Sequence, residues 1–266
     1  MTGRSKTRAT FLMLILLSGA VDLIAQSDSQ FDKLYPFLGH WSIYSTNTEG
    51  EDRGNCGGRL GDYGEKLLNC SMPVDQLPLN KRGEAWMKFT DQRASPSLAE
   101  CAQVAMPSLL TSDAYISGFP HEIIIQHADP SGAVIQNIWM DGTGSRPLPG
   151  ELLQHGFSTG RWDGDDLVVE TTNFTFDPDG IDDHLHMASS VRKKVTQRYH
   201  LIDDQAMRLI VTLEDPVFLT KPFTYAYIFD KKPTGLAQAY RECDPDVARR
   251  EVEYGYPGNK YPDDEK

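Results

Sequence analysis

The chain has 266 residues, a formal net charge of −12, 39% apolar residues and 24% charged ones. That balance is globular and excludes a disordered chain, a collagen-like repeat or a multi-span membrane protein. An acidic chain with no basic patch also argues against nucleic acid or an anionic lipid surface as a partner.

Taken in chain order, the start reads as an address. Arg4, Lys6 and Arg8 precede an apolar run at 11–17, then Ser18-Gly19-Ala20, with a second exit at Ala25. A positive start, a short apolar stretch and a small-residue exit spell a secretory signal peptide over residues 1–25. The run is too short to remain as a bilayer anchor, so no membrane span is expected in the mature protein. No cysteine follows it closely, so no lipoprotein anchor is expected. The expected location is exported, periplasmic or secreted. In such an oxidising compartment, Cys56, Cys70, Cys101 and Cys243 favour disulfides over metal thiolates. Cys56 and Cys70 bracket a Gly-rich loop and are expected to pair, which leaves Cys101 to join Cys243.

The mature chain has a β pattern throughout. Strands are expected at 40–46, 65–71 and 84–91, and residues 92–120, with Pro96, Pro107 and Pro120, read as a long ordered loop with one helical turn. Residues 121–128 and 133–140 are β-rich and flank Asp129-Pro130-Ser131-Gly132, a four-residue hairpin loop. A second hairpin turns on Asp163-Gly164 and returns through 167–172. A third runs from Val191 to Leu201, turns at Asp203-Asp204 and returns from Met207 to Leu213. In this hairpin, apolar side chains share one face and Arg192, Lys194, Arg198, His200 and Arg208 the other. Phe223, Tyr225, Tyr227 and Phe229 then form an aromatic stripe on one strand face. Asp244-Pro245-Asp246 caps a short helix, and a polar tail ends at 266. The expected fold is all-β: an antiparallel meander closing into a barrel, as one domain over 31–245, with a helix and tail at 246–266. Gly39-His40-Trp41 resembles the opening of lipocalin/calycin-type barrels, where the tryptophan closes the barrel floor.

Several residues could carry chemistry. If Asp163-Gly164 is a two-residue turn, Thr172 faces His155 and Glu170 lies diagonally within reach. A histidine held by a carboxylate is a workable general base. Asp141, at a strand end beside Trp139 and Arg146, could line a pocket mouth. These three, His155, Glu170 and Asp141, are the catalytic candidates. Trp139, Trp162, Phe223, Tyr225, Tyr227 and Phe229 are the ligand-binding candidates. His184 and His186 would share a strand face and could chelate a metal. They lack the glutamate that follows the similar cupin motif, however. Asp177, Asp179, Asp182 and Asp183 lack the EF-hand ladder, so the stretch reads as a solvated acidic turn. His121 and His127 are about 20 Å apart along an extended strand and cannot share a centre. No metal and no cofactor are expected, and no nucleophile elbow, P-loop, dinucleotide fingerprint or HExxH is present.

Met140-Asp141-Gly142, the long run from His155 to Thr172 and the segment from Asp215 to Phe223 together resemble a family of exported bacterial proteins. That family carries "MDGR-x-HP", "GHS-x-G-x-W-(D/E)-GD-T-LVV-(D/E)-T" and "DP-x-x-(Y/F)-T-(K/R)-PW". Cys101 and the ending Tyr240-Arg241-Glu242-Cys243 also match, so the similarity covers roughly residues 77–243. It implies export and a β-fold and supplies no reaction. This chain departs from the pattern at Arg146-Pro147, which stands for His-Pro after a small insertion, and at Pro222-Phe223, which stands for Pro-Trp. His184-Leu185-His186 lies where the family often has Pro-x-Ser.

Three functions fit these observations. The first is an exported barrel holding a small apolar molecule, lipid- or terpenoid-like, in an aromatic-lined cavity. The second is an enzyme in the same cavity, a cyclase, isomerase or hydrolase using a His–carboxylate pair. The third is a structural envelope protein without a ligand.

Overall fold

Apolar–polar alternation along extended segments forces one face of each ribbon away from water, and nine such ribbons here close on one another. The computed structural model describes residues 30–43, 76–90, 96–129, 132–142, 144–182, 186–233 and 244–249. The barrel strands are β1 (Gly39–Ile43), β2 (Ala114–Phe119), β3 (Glu122–Asp129), β4 (Gly132–Met140), β5 (Phe157–Asp163) and β6 (Asp166–Thr172), followed by β9 (Lys194–Leu201), β10 (Ala206–Glu214) and β11 (Phe223–Lys232). They close in the order β1-β11-β10-β9-β6-β5-β4-β3-β2. β7 (Asp177–Asp182) and β8 (Met187–Ser189) form a separate two-stranded sheet. Closure leaves no unpaired sheet edge in the barrel wall.

An all-β barrel is therefore the fold, but the meander is not antiparallel throughout. β4 and β5 run parallel, pairing Ile138 with Ser158 and Met140 with Gly160. Parallel neighbours need a return connection, and residues 141–156 supply it. At this seam Gly160 faces inward, where an added Cβ would lie 2.5 Å from Met140 Sδ and 2.7 Å from Ile138 Cγ2. Gly160→Ala should therefore destabilise the protein by about 1–3 kcal/mol through overpacking, read from the urea midpoint.

Both ends of the barrel are covered. Beyond the Asp163–Asp166 turn, the 3-10 turn Tyr35–Phe37 packs Phe37 against Trp162, with the rings tilted and their centroids 5.6 Å apart. Lys33 Nζ donates to Gly164 O, and Trp41 Nε1 donates to Phe37 O at 2.7 Å. At the other end the chain leaves β6 and returns at β9. There Phe174, Ile181, Met187 and Ala188, with Met106, Leu109 and Leu110, join the same core cluster as the barrel interior.

Several expected elements differ. The strand expected at 84–91 is part of a helix, Lys81–Phe89. The Asn80 side chain caps it by accepting from Arg82 N and Gly83 N, and Glu84 and Lys88 sit at the favourable ends of its dipole. The loop expected over 92–120 contains the short helix Pro96–Ala99, a 3-10 turn at Ser108–Thr111 and β2. Asp129 pairs with Gly132, so the β3–β4 turn is tighter than four residues. Asp163 pairs with Asp166, so the β5–β6 turn sits on Gly164 and Asp165, and Thr172 faces Phe157 instead of His155. Gly164 takes φ +64°, at the first central position where a II′ turn uses glycine. β9 begins at Lys194, leaving Val191 exposed in a turn. The acidic segment is not a solvated turn: Asp177–Asp182 is strand β7, with Asp179 5% and Asp182 3% exposed. The short C-terminal helix is present as Pro245–Ala248, capped by Asp244.

The leader, the expected strand at 65–71, His184 and the cysteines 56, 70 and 243 lie outside the described residues. Cys101 is disulfide-bonded. No helix among the described residues is long and apolar enough to cross a membrane.

Candidate functional site

Inward positions of five adjacent strands carry polar side chains in an interior otherwise built from aliphatic and aromatic residues. His127 (β3), Gln136 (β4), Ser158 (β5), Thr171 (β6) and Gln197 and Tyr199 (β9) are each at most 3% exposed. They form one hydrogen-bonded row. Gln136 Nε2 donates to Gln197 Oε1 at 2.9 Å and to Ser158 Oγ at 3.0 Å. Ser158 and Thr171 hydroxyls are 2.8 Å apart, and Gln197 Nε2 donates to the Tyr199 hydroxyl at 2.9 Å. With its amide nitrogen so engaged, Gln136 presents Oε1 to His127 Nε2 at 3.4 Å.

His127 is consequently a neutral ring that donates through Nε2 and offers Nδ1 as an acceptor. Nδ1 is buried and has no hydrogen-bond partner among the described residues. Burial pushes the His127 pKa down to about 4, helped by the charge of His155 and opposed by the Gln136 hydrogen bond. The Tyr225 hydroxyl is likewise buried without a partner among the described residues, and burial first, then Tyr227 and Asp182, pushes its pKa up. A buried polar group left unpaired costs roughly 1–3 kcal/mol, so each such atom calls for an explanation.

Next to this row, His155 Nε2 faces Gln103 Oε1 at 3.1 Å, and its Nδ1 is also unpartnered among the described residues. Burial pushes the His155 pKa down, against the Asp129 carboxylate and with the Lys193 ammonium. Gln103 lines a groove of about 330 Å³ with Ser97, Gln154, Phe176 and Asp179. In that groove the Asp179 carboxylate accepts from Ser97 Oγ at 3.1 Å and from His186 Nδ1 at 3.1 Å. His186 is thereby tied to a carboxylate, and no group of three or more potential metal ligands occurs among the described residues.

Lys193 is fully buried beneath the same end. Its Nζ donates to Met106 O at 2.6 Å and Gly180 O at 2.8 Å, and lies 4.2 Å from the Phe174 ring centroid. Burial pushes its pKa down to about 7, against the pull of Asp177 and Asp215.

The three catalytic candidates do not share one pocket. Asp141 and Glu170 line a groove on the outer wall of the barrel, and His155 is not part of it. The carboxylate that acts on His155 is Asp129 of β3, and Glu170 instead meets Lys194 at 3.6 Å. Of the aromatic candidates, Tyr225, Tyr227 and Phe229 are inside, with Tyr225 and Tyr227 edge-to-face at 5.4 Å. Phe223 packs partly against the core, and Trp162 lies at the Phe37 end. Trp139 alternates with the buried Ile138 and Met140 and so faces outward.

The polar row was not anticipated, although its signal lies in the strands. Gln197 interrupts Val195–Tyr199, and Gln136 interrupts Val134–Ile138, each at an inward position. Among known proteins, the chain matches no family model and no curated sequence.

Proposed function

We propose that the protein is an exported binding barrel that takes a small, mainly apolar molecule of lipid or terpenoid type carrying a hydroxyl donor. The observation that carries this reading is Nδ1 of His127, a neutral acceptor buried in the barrel interior with no partner among the described residues. A ligand hydroxyl would satisfy it, and the rings of Tyr225, Tyr227 and Phe229 belong to the apolar cluster of the same barrel interior. The basic-then-apolar leader and the even cysteine count support export.

Native mass spectrometry of the purified mature protein, followed by titration with a long-chain alcohol and the alkane of equal length, tests this. The alcohol should bind and the alkane should bind at least about tenfold more weakly. Equal affinity for the two, or no retained or added molecule at all, would overturn the proposal. Tyr225→Phe separates stability from binding. It deletes a hydroxyl with no partner among the described residues, so thermal stability should stay level or rise by about 1 kcal/mol. Affinity for the alcohol should fall if that hydroxyl reads the ligand.

A further inference from the structure

We infer that the groove on the outer wall of the barrel binds a small zwitterion of the amino-acid or dipeptide class, independently of the interior. The groove exists because of the parallel seam. Its floor is two cross-strand rows: Thr159, Glu170 and Thr196 pair in register across β5, β6 and β9, and Arg161 pairs with Val168. The return connection raises one wall from Asp141, Gly142 and Arg146. Asp141 N donates to Gly160 O at 2.9 Å, which pins that wall to β5. Gly144 packs against Trp139, where any Cβ would collide with the indole ring, so this turn needs glycine at that point.

Charge identifies the class of ligand. Arg198 is paired with Asp163 and Asp166, and Lys194 with Glu214 and Glu170. Arg146, Arg161 and Asp141, in the same neighbourhood, make no ion pair among the described residues. An acidic chain that leaves two guanidinium groups uncompensated at one groove presents a ready fork for a carboxylate. Asp141 holds its carboxylate there from a left-handed backbone, φ +52°, followed by Gly142 at +73°. Aspartate is among the few side chains that this region tolerates, so the turn sets the direction of its carboxylate. Asp141 can receive an ammonium, Asp141 and Glu170 together repel a polyanion, and the two arginines repel a plain cation. The groove volume of about 360 Å³ suits a ligand of dipeptide size.

Calorimetric titration with L-alanyl-L-alanine tests this, alongside its N-acetyl form, which lacks the cation, and its C-terminal amide, which lacks the anion. Wild type should bind the dipeptide saturably and each blocked form at least about tenfold more weakly. Arg161→Met and Asp141→Asn should lose dipeptide binding while keeping the wild-type melting temperature, since both side chains are exposed. No saturable binding, equal affinity for the N-acetyl form, or undiminished binding by both variants would overturn the inference. None of these outcomes depends on whether the interior holds a hydroxylated ligand.

Discussion

Gln136→Leu should destabilise the protein by about 3 kcal/mol and lower its melting temperature by roughly 6–12 °C. Leucine fits the volume, so the loss comes from the partners left behind. Gln197 Oε1 loses the amide that bonds it at 2.9 Å, and His127 Nε2 loses its acceptor. Both are buried where water cannot replace the bond, and each orphaned group costs about 1–3 kcal/mol. Ser158 and Thr171 keep each other, which limits the damage. Because the row is one network, a double-mutant cycle of Gln136→Leu with Gln197→Leu should show a coupling energy of at least about 1 kcal/mol. Urea unfolding measures both quantities. A single-site cost below about 1 kcal/mol, with no coupling, would mean that the row is not a connected network.

The second large effect is a pH dependence assigned to Lys193. The folded pKa is about 7 against an ordinary 10.5, so between these values the unfolded chain binds more protons than the native one. Stability contributed by this residue therefore rises with pH across the window from 7 to 10.5, and the full penalty of burying the ammonium is felt below pH 7. Lys193→Met removes the titration. The stability of wild type minus that of the variant should grow by roughly 3–4 kcal/mol from pH 7 to pH 10. Chemical denaturation at several pH values reads it directly, and a difference that stays flat across the window would show that Lys193 does not change charge there. The absolute sign at pH 7 is set by a second balance. Methionine relieves the desolvated charge but leaves the carbonyls of Met106 and Gly180 without their donor. The slope with pH is the diagnostic quantity because those carbonyls do not titrate.

The two effects bear on one structural fact. The barrel interior is not uniformly apolar, and its polar content is concentrated toward the end covered by β7 and β8. Lys193 ties three separate stretches together there: Met106 before β2, Gly180 in β7 and the Phe174 ring after β6. The row from His127 to Tyr199 gives the neighbouring strands a set of directional bonds that apolar packing lacks. Such bonds hold the His127 ring in one tautomer, and that is what makes its free nitrogen an acceptor of defined direction.

Much of the architecture is local and therefore readable along the chain. Period-two alternation in β9 and β10, the ring stripe of β11 and the glycine turn at 164 each act within a few residues, which is why the barrel class, most strand positions and the short terminal helix follow from residue order. Trp86 and Phe89 suit the strand expected at 84–91, but the Asn80 cap and the helix-favouring Lys, Arg, Glu, Ala and Met around them outweigh two aromatic rings and make Lys81–Phe89 a helix. The candidate site was legible only in its parts. His155 is where a reactive histidine was sought, but its carboxylate partner depends on whether the turn centres on Asp163-Gly164 or one residue later, and that small slip moves every cross-strand neighbour by two. The polar row joins residues 127, 136, 158, 171 and 197, and the outer groove joins 141, 146, 161 and 170. Contacts at such separations are set by strand order and by the parallel seam between β4 and β5, because barrel closure, unlike alternation, is a property of how distant strands find one another.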